Sequence, residues 1–345
     1  MRPPIDSARR RYLALLGAAV TAAQAGFIGN IDAGPDEEFD DGNDLAFAGD
    51  EPDANDDGDP EDGPEDVEAV IGSLVEGENI HLVVEYVERT TEIGEFQEAA
   101  EGNEFLLIQV AMLNDSDEFE HVSQLLQARV RDDEDYSYNM AIAVTDEPTF
   151  KGGQIAPGEL ERGMMVFEVP DDASGLSLEF DFDVSIFGGV DRATITLEDE
   201  TDVHTLEQDL RVDTYEIGDA VEYEGVTVGI RDVETETELG DFTEAEEGHE
   251  FVLIDLEITN ETGEEQRIST VLQMMLKDGR GWSYQEDFVA SVELDRSFDE
   301  TGALVDGETR AGRVVYEIEE GIEPLYWVFE FTLWTDGDKT FWQLR

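Results

Sequence analysis

The 345-residue chain contains no cysteine. That excludes disulfides, thiolate metal sites, thiol catalysis and a lipid-modified cysteine. Lysine is almost missing too: Lys151, Lys277 and Lys339 are the only three. Lysine and arginine together number 20 against 88 acidic residues, a formal charge of −68. Such an excess repels nucleic acid and anionic lipid and argues against both as partners. Long apolar runs are also absent. The longest, Tyr12 to Ala25, is too short to span a membrane as a mature helix. Histidine occurs four times, at His81, His121, His204 and His249.

In dilute buffer this charge destabilises the compact state by self-repulsion. The Debye length falls from about 10 Å at 0.1 M salt to about 3 Å at 1 M. The acidic, lysine-poor composition resembles that of proteins from extreme halophiles, and most carboxylates are expected to be solvated surface charges. Arg9-Arg10-Arg11-Tyr12-Leu13 fits the twin-arginine export pattern, with Arg9 and Arg10 as its core. Ala23-Gln24-Ala25 supplies a small-x-small cleavage signal, so residues 1–25 read as a signal peptide. The alternative is an uncleaved N-terminal anchor. Residues 26–70 read as an acidic linker, because Asp32 to Asp66 has too little apolar surface to offset its ordering entropy. Asp53-x-Asn55-x-Asp57-Gly58 copies half of a calcium loop, but Pro64 stands where a bidentate Glu belongs. Weak, delocalised cation binding is all that this tract implies.

What is there is a repeat. Val87 to Tyr138 aligns without a gap to Val233 to Tyr284, with roughly 40 % of positions identical. The chain therefore holds two copies of one fold: domain 1 over 71–198, a connector over 199–211, and domain 2 over 212–345. Their hydrophobic period is two. Val252, Ile254, Leu256 and Ile258 share one face of a strand; Leu106, Ile108, Val110 and Met112 are their counterparts, although Leu107, Ala111 and Leu113 blur the other face. Met165, Phe167 and Val169 form a second inner face, matched by Val314, Tyr316 and Ile318. Further strands are expected at Ile80 to Val87, Leu125 to Arg131, Leu176 to Asp183, Val226 to Val233, Val271 to Lys277 and Tyr326 to Leu333. Short strands at regular spacing, without an amphipathic helix, predict an all-β fold of two tandem immunoglobulin-like β-sandwiches after a disordered acidic tether.

Several motifs recur in order: Glu101-Gly102-Asn103-Glu104-Phe105, Asn114, Tyr136-Ser137-Tyr138, Pro157-Gly158 and Val166-Phe167-Glu168-Val169-Pro170. The second copy has Glu247-Gly248-His249-Glu250-Phe251, Asn260, Trp282-Ser283-Tyr284, Asp306-Gly307 and Val315-Tyr316-Glu317-Ile318. This series resembles the telokin-like, immunoglobulin-fold domain of unknown function found in secreted bacterial and archaeal proteins. The second copy departs from it by lacking a proline at Asp306 and another after Ile318. The resemblance covers about two-thirds of the chain. It implies an extracellular, non-enzymatic module and carries over no catalytic residue.

The residues themselves point the same way. A Ser–His–Asp site needs histidine beside a nucleophile and a carboxylate, yet His121 corresponds to Arg267 and His249 to Asn103. Two-carboxylate hydrolysis needs only two acids, which 88 supply without specificity. Asn114-Asp115-Ser116 and Asn260-Glu261-Thr262 fit the N-glycosylation pattern at equivalent positions, where a turn should expose them. The alternative is that Asn suits the turn by bonding its own backbone. Tyr326, Trp327, Phe329, Phe331, Trp334, Phe341 and Trp342 read mostly as core, with a residual strip left for a contact between domains or with a partner. The expectation is an exported, salt-adapted cell-surface or extracellular binding or structural module. It has no catalytic residues, metal site or cofactor, and its partner is an unknown protein or envelope component. The alternative is a divalent-cation or small-ligand-binding accessory protein of the envelope.

Overall fold

Each copy of the repeat folds into two packed, mainly antiparallel layers, because alternation gives the strands an apolar face to bury. The computed structural model describes residues 65–94, 97–122, 128–181, 190–240, 243–333 and 337–345, all within one compact unit, Asp62–Arg345. The export motif, the cleavage signal, the half calcium loop and Trp334 lie outside the described residues.

In sandwich 1, one sheet runs in the order β1 (Glu65–Ile71), β13 (Val190–Glu200), β12 (Ser177–Asp181), β8 (Ala128–Arg131) and β9 (Ser137–Tyr138). The facing sheet is β11 (Leu160–Pro170), β6 (Asn103–Asn114), β3 (Ile80–Thr90) and β2 (Leu74–Glu76). Two short ribbons flank them, β4 (Glu92–Ile93) with β5 (Gln97–Glu98), and β7 (Glu120–Val122) with β10 (Gly153–Ile155). Sandwich 2 repeats the plan. One sheet is β14 (Thr214–Tyr215), β24 (Lys339–Gln343), β23 (Leu325–Glu330), β20 (Met274–Asp278) and β21 (Ser283–Tyr284). Its partner is β15 (Ala220–Tyr223), β16 (Val226–Glu236), β19 (His249–Asn260) and β22 (Thr309–Glu319), with a ribbon of β17 (Glu238–Leu239) and β18 (Thr243–Glu244).

The expected inner faces are the inner faces. Leu106, Ile108, Val110 and Met112 join Met165, Phe167 and Val169 in the core of sandwich 1. Val252, Ile254, Leu256 and Ile258 join Val314, Tyr316 and Ile318 in that of sandwich 2. The blurred outer face of β6 has a physical cause. Ala111 and Leu113 are covered by Val83, Leu160 and the connector's Leu206, and Leu107 packs with Ile93, Phe105 and Val166. Register shifts next to Glu85 and, in the second copy, next to Arg231 insert one extra residue into β3 and β16. Such bulges reset which side chains face inward.

Three expectations change. Sandwich 1 opens at Glu65, inside the stretch 26–70 expected to be linker: Val67, Ala69 and Ile71 alternate onto the core while β1 pairs in parallel with β13. The strand expected from Val271 begins only at Met274. Thr270–Gln273 is instead a single helical turn, α1, capped by Ser269, whose hydroxyl accepts from Leu272 N. The strand expected over Tyr326 to Leu333 ends at Glu330 and tightens into a 3-10 turn, Phe331–Leu333.

Candidate functional site

The outer face of the β20–β23–β24 sheet should be polar, as outer faces of antiparallel sheets are. Instead it presents Met275, Tyr326, Val328 and Phe341, and sandwich 1 covers it. Ala156, Phe119, Leu210 and Val212 pack on these side chains, which turns part of the expected C-terminal aromatic strip into a contact between domains. Set into this apolar seam are all three lysines of the chain. Lys277 Nζ lies 2.5 Å from Glu161 Oε2, 3.0 Å from Glu159 Oε1 and 3.3 Å from Ser283 Oγ. Lys339 Nζ donates to Glu159 Oε1 at 2.6 Å and to the Gln154 carbonyl at 3.1 Å, with Glu330 Oε1 at 3.9 Å. Lys151 Nζ reaches across to Val271 O at 3.5 Å and Met275 Sδ at 3.8 Å. Three ammonium groups thus meet Glu159, Glu161 and Glu330 at this seam, Lys277 and Lys339 buried and Lys151 at its half-buried margin. Lys277 and Glu159 are fully buried.

Burial disfavours a charge and a partner of opposite sign restores it, and the balance differs from group to group. Burial raises Glu159, but Lys277 and Lys339 outweigh it and hold the carboxyl below its ordinary value. Burial lowers Lys339, but Glu159, Glu330 and Glu161 outweigh it and hold the ammonium above its ordinary value. For Glu330, burial wins over Lys339 and Lys151, and its carboxyl is raised. Lys151 is pulled down to about 8, chiefly by burial, with Lys339 and Lys277 adding to the effect and Glu330 opposing it. Lysine suits the seam because a compact ammonium can address two carboxylates at once.

The backbone completes the joint. Arg162 N donates to Gly281 O at 2.8 Å, and the Arg162 guanidinium bonds the Arg280 carbonyl while its Nε holds Glu85 at 2.8 Å. Gly281 has φ +92°, and a Cβ there would lie 2.7 Å from Leu160 Cγ. Its counterpart Asp135, also at positive φ, faces solvent in sandwich 1 where nothing docks. The arrangement is a neutralised ionic joint rather than an open site. Its chemical capacity is to fix two sandwiches in one orientation.

A second feature is a cavity of about 320 Å³ in sandwich 1, lined by Ile71, Val87, Leu106, Leu176 and Leu197 together with Arg89, Glu198 and Glu200. Arg89 Nε lies 3.1 Å from Glu104 Oε1 and its Nη2 donates to Ala173 O at 3.0 Å. In sandwich 2 the equivalent Glu250 and Ile322 carbonyl are held by Arg345, at 2.5 and 2.8 Å. Arg345 occupies the position of Glu198, and Thr235 that of Arg89. The same latch is therefore built with arginine from a different strand.

Comparison with family models gives a match to a domain of unknown function, DUF4352, over residues 70–191 and again over 215–339. The chain belongs to the DUF4352 family. No curated protein matches it. Solved structures similar to it include an uncharacterised β-sandwich protein from Clostridium difficile, 17% identical, covering 40% of this chain and 99% of that one at a TM-score of 0.28. The yjhA protein from Bacillus subtilis is 16% identical, covering 37% and 99%, at 0.33. The secreted protein MPT63 from Mycobacterium tuberculosis is 10% identical, covering 38% and 96%, at 0.29.

Both DUF4352 repeats use their shared asparagine identically. Asn114 and Asn260 are fully buried, so the expected exposure of these acceptors is corrected. Asn114 Nδ2 donates to Glu118 O at 2.7 Å and Ile155 O at 2.8 Å, while its Oδ1 accepts from Ser116 N and Oγ. Asn260 does the same with Glu264, Leu304 and Thr262. Both amide hydrogens are committed, so a glycan cannot be carried there in this fold. The aromatic-Ser-Tyr step of each DUF4352 repeat is also a turn lock. Asp132 accepts from Tyr138 at 2.7 Å, and the equivalent Asp278 accepts from Tyr284 at 3.2 Å. His121 sits on β7 and His249 opens β19, in different sandwiches and on different elements. Among the described residues, no group of three His, Asp or Glu side chains could hold a metal ion. Sequence reasoning noted the three lysines only as a scarcity. Their signal was positional: Lys277 and Lys339 fall on outward strand positions beside apolar neighbours.

Proposed function

We propose that the chain is an exported, salt-adapted, non-enzymatic module that acts at the cell surface or outside the cell, as a rigid block that binds or builds envelope structure. It would belong to the telokin-like, haloarchaeal-type branch of its family and reach its place by the twin-arginine route. The observation that carries this reading is the lysine seam. The buried ionisable groups of the two sandwiches neutralise one another and lock the repeat into one body with broad outward sheet faces. The composition supports the salt adaptation. Affinity capture from native envelope material, with cell fractionation alongside, tests the reading: the chain should fractionate with envelope or medium and retain a partner in molar salt. Recovery from the cytoplasm without any partner would sink it. Near-UV circular dichroism should fade on dialysis into dilute buffer; an unchanged spectrum would contradict salt adaptation.

The cavity in sandwich 1 favours a second reading, an accessory protein that binds a small ligand or a divalent cation. Calorimetric titration with calcium in molar salt separates the cation version, since absence of both heat and stabilisation removes it.

A further inference from the structure

The joint between the sandwiches is asymmetric. It sets the β10–β11 edge of sandwich 1 on the β20–β23–β24 face of sandwich 2. Duplication supplied each sandwich with both surfaces, so one face and one edge are left over. The spare face is β8–β12–β13 of sandwich 1. The spare edge is the segment of sandwich 2 that leads into β22.

Register shows how closely the spare pair copies the used pair. Lys339 stands opposite Glu330, and Arg192 stands opposite Asp181 at the equivalent place. Lys277 stands opposite Tyr326, and Arg131 opposite Ser177. The face of sandwich 1 therefore holds cations where the joint has its two seam lysines, and an acid where it has Glu330. The edges agree at one acid, Glu159 and Glu308, and differ at the next, where Arg310 stands in place of Glu161. Glu159 N bonds Ala156 O at 2.9 Å, and its Oε2 accepts from Ala156 N at 2.7 Å. Glu308 N bonds Val305 O at 3.0 Å, and its Oε2 accepts from Val305 N at 3.0 Å. Glu159 Oε1 goes to the lysines, whereas Glu308 Oε1 has Arg310 at 2.9 Å. Ala156 is fully buried, but Val305 is 46% exposed.

We propose that copies of this chain associate head to tail, the Glu308 edge of one molecule docking on the Arg131–Arg192 face of the next. Such a contact is heterologous and leaves a free face and a free edge, so it propagates into chains. The contact is weaker than the internal joint. Met275, Val328 and Phe341 have no apolar counterparts here: Arg129, Glu179 and Thr194 occupy their places. Arg131 and Arg192 already touch Glu179 at 3.2 Å and Asp181 at 2.7 Å, so Glu308 joins a network rather than meeting bare cations. Salt governs it in an unusual direction. Two chains of formal charge −68 repel at long range, and a Debye length of about 3 Å at 1 M salt removes that repulsion while leaving contact-range pairs.

The inference names a partner for the structural-module reading and rests on it only in part, because it is tested on purified protein without envelope material. Sedimentation velocity of the full chain in molar salt should show a weight-average mass that rises with concentration. Arg131→Glu/Arg192→Glu should abolish the rise, and so should Glu308→Lys, with circular dichroism showing each still folded. Mixing the two variants should restore association, because Glu308 of one then meets Arg131 and Arg192 of the other. A monomer at all concentrations would overturn the proposal. So would association that both variants leave intact, or a closed symmetric dimer. Failure to capture any envelope partner while chains form would instead count against the wider reading alone.

Discussion

Replacing Lys277 with methionine should separate the two sandwiches thermodynamically. The side chain is fully buried and, among the described residues, makes the one direct ion pair of Glu161; without it that carboxylate keeps Ser283 Oγ at 3.0 Å. Glu159 would keep Lys339. One carboxylate is thus left buried without its cation, and breaking a buried pair in this way costs about 3–5 kcal/mol. At about 1.4 kcal/mol per decade, the docking equilibrium weakens roughly 10²- to 4 × 10³-fold. The loss falls on docking because Lys277 lies on the outer face, away from both cores. All four tryptophans belong to the second copy, so their fluorescence follows sandwich 2 while far-UV circular dichroism follows both. In urea and molar salt the two signals should coincide for the parent chain and separate for Lys277→Met. Adding Glu161→Leu should recover most of the loss, since an apolar pair often replaces a buried ion pair at little cost. Coincident transitions in Lys277→Met, with a loss under about 1 kcal/mol, would refute the view that this seam couples the sandwiches.

Glu286 gives a pH test. Burial, helped by Glu300 and Asp287 against the Thr270 hydroxyl, pushes it up to about 7. The folded chain then holds a proton that the unfolded chain has lost, so this group makes stability fall as pH rises from about 4.5 to about 7. Glu286→Gln should flatten that slope and raise urea stability at pH 8 by ~1–3 kcal/mol; an unchanged slope would refute the assignment. Lys151, at about 8, should be the first of the three lysines acylated in the folded protein at pH 8, read by peptide mass mapping, with Lys277 and Lys339 labelled only after unfolding. Asn114→Ala should strand the buried Ile155 carbonyl and cost about 1–3 kcal/mol, and intact mass of native material should show no glycan at Asn114 or Asn260.

The fold was legible because duplication supplied an internal alignment: where one copy blurred, the other resolved the period. Strand faces such as Leu106 to Met112 follow directly from that. The early start at Glu65 was masked by composition, since Glu-Asp-Val-Glu-Ala-Val-Ile reads as acidic before it reads as alternating. The turn at α1 was missed because Val271 and Leu272 look like strand residues, and only the Ser269 cap distinguishes them. The lysine seam was not legible as a site. Lys277 and Lys339 belong to sandwich 2 and Glu159 and Glu161 to sandwich 1, so no spacing along the chain connects them. The asparagine motif was legible, but its exposure was not: pattern names the residue type, and only packing decides whether water reaches it.

The arginine latch has a consequence for how relatives should be compared. Arg89 and Arg345 do one job from two strands, so an alignment column through either shows a charge gained or lost where the interaction has merely changed its donor. Between this chain's two repeats, a comparison by column would score the latch as lost in one of them. What the two repeats share is the acceptor pair, the glutamate before the phenylalanine of β6 or β19 and the carbonyl beyond β11 or β22. Repeats of this kind are better compared by which strand supplies the guanidinium than by residue identity at one position.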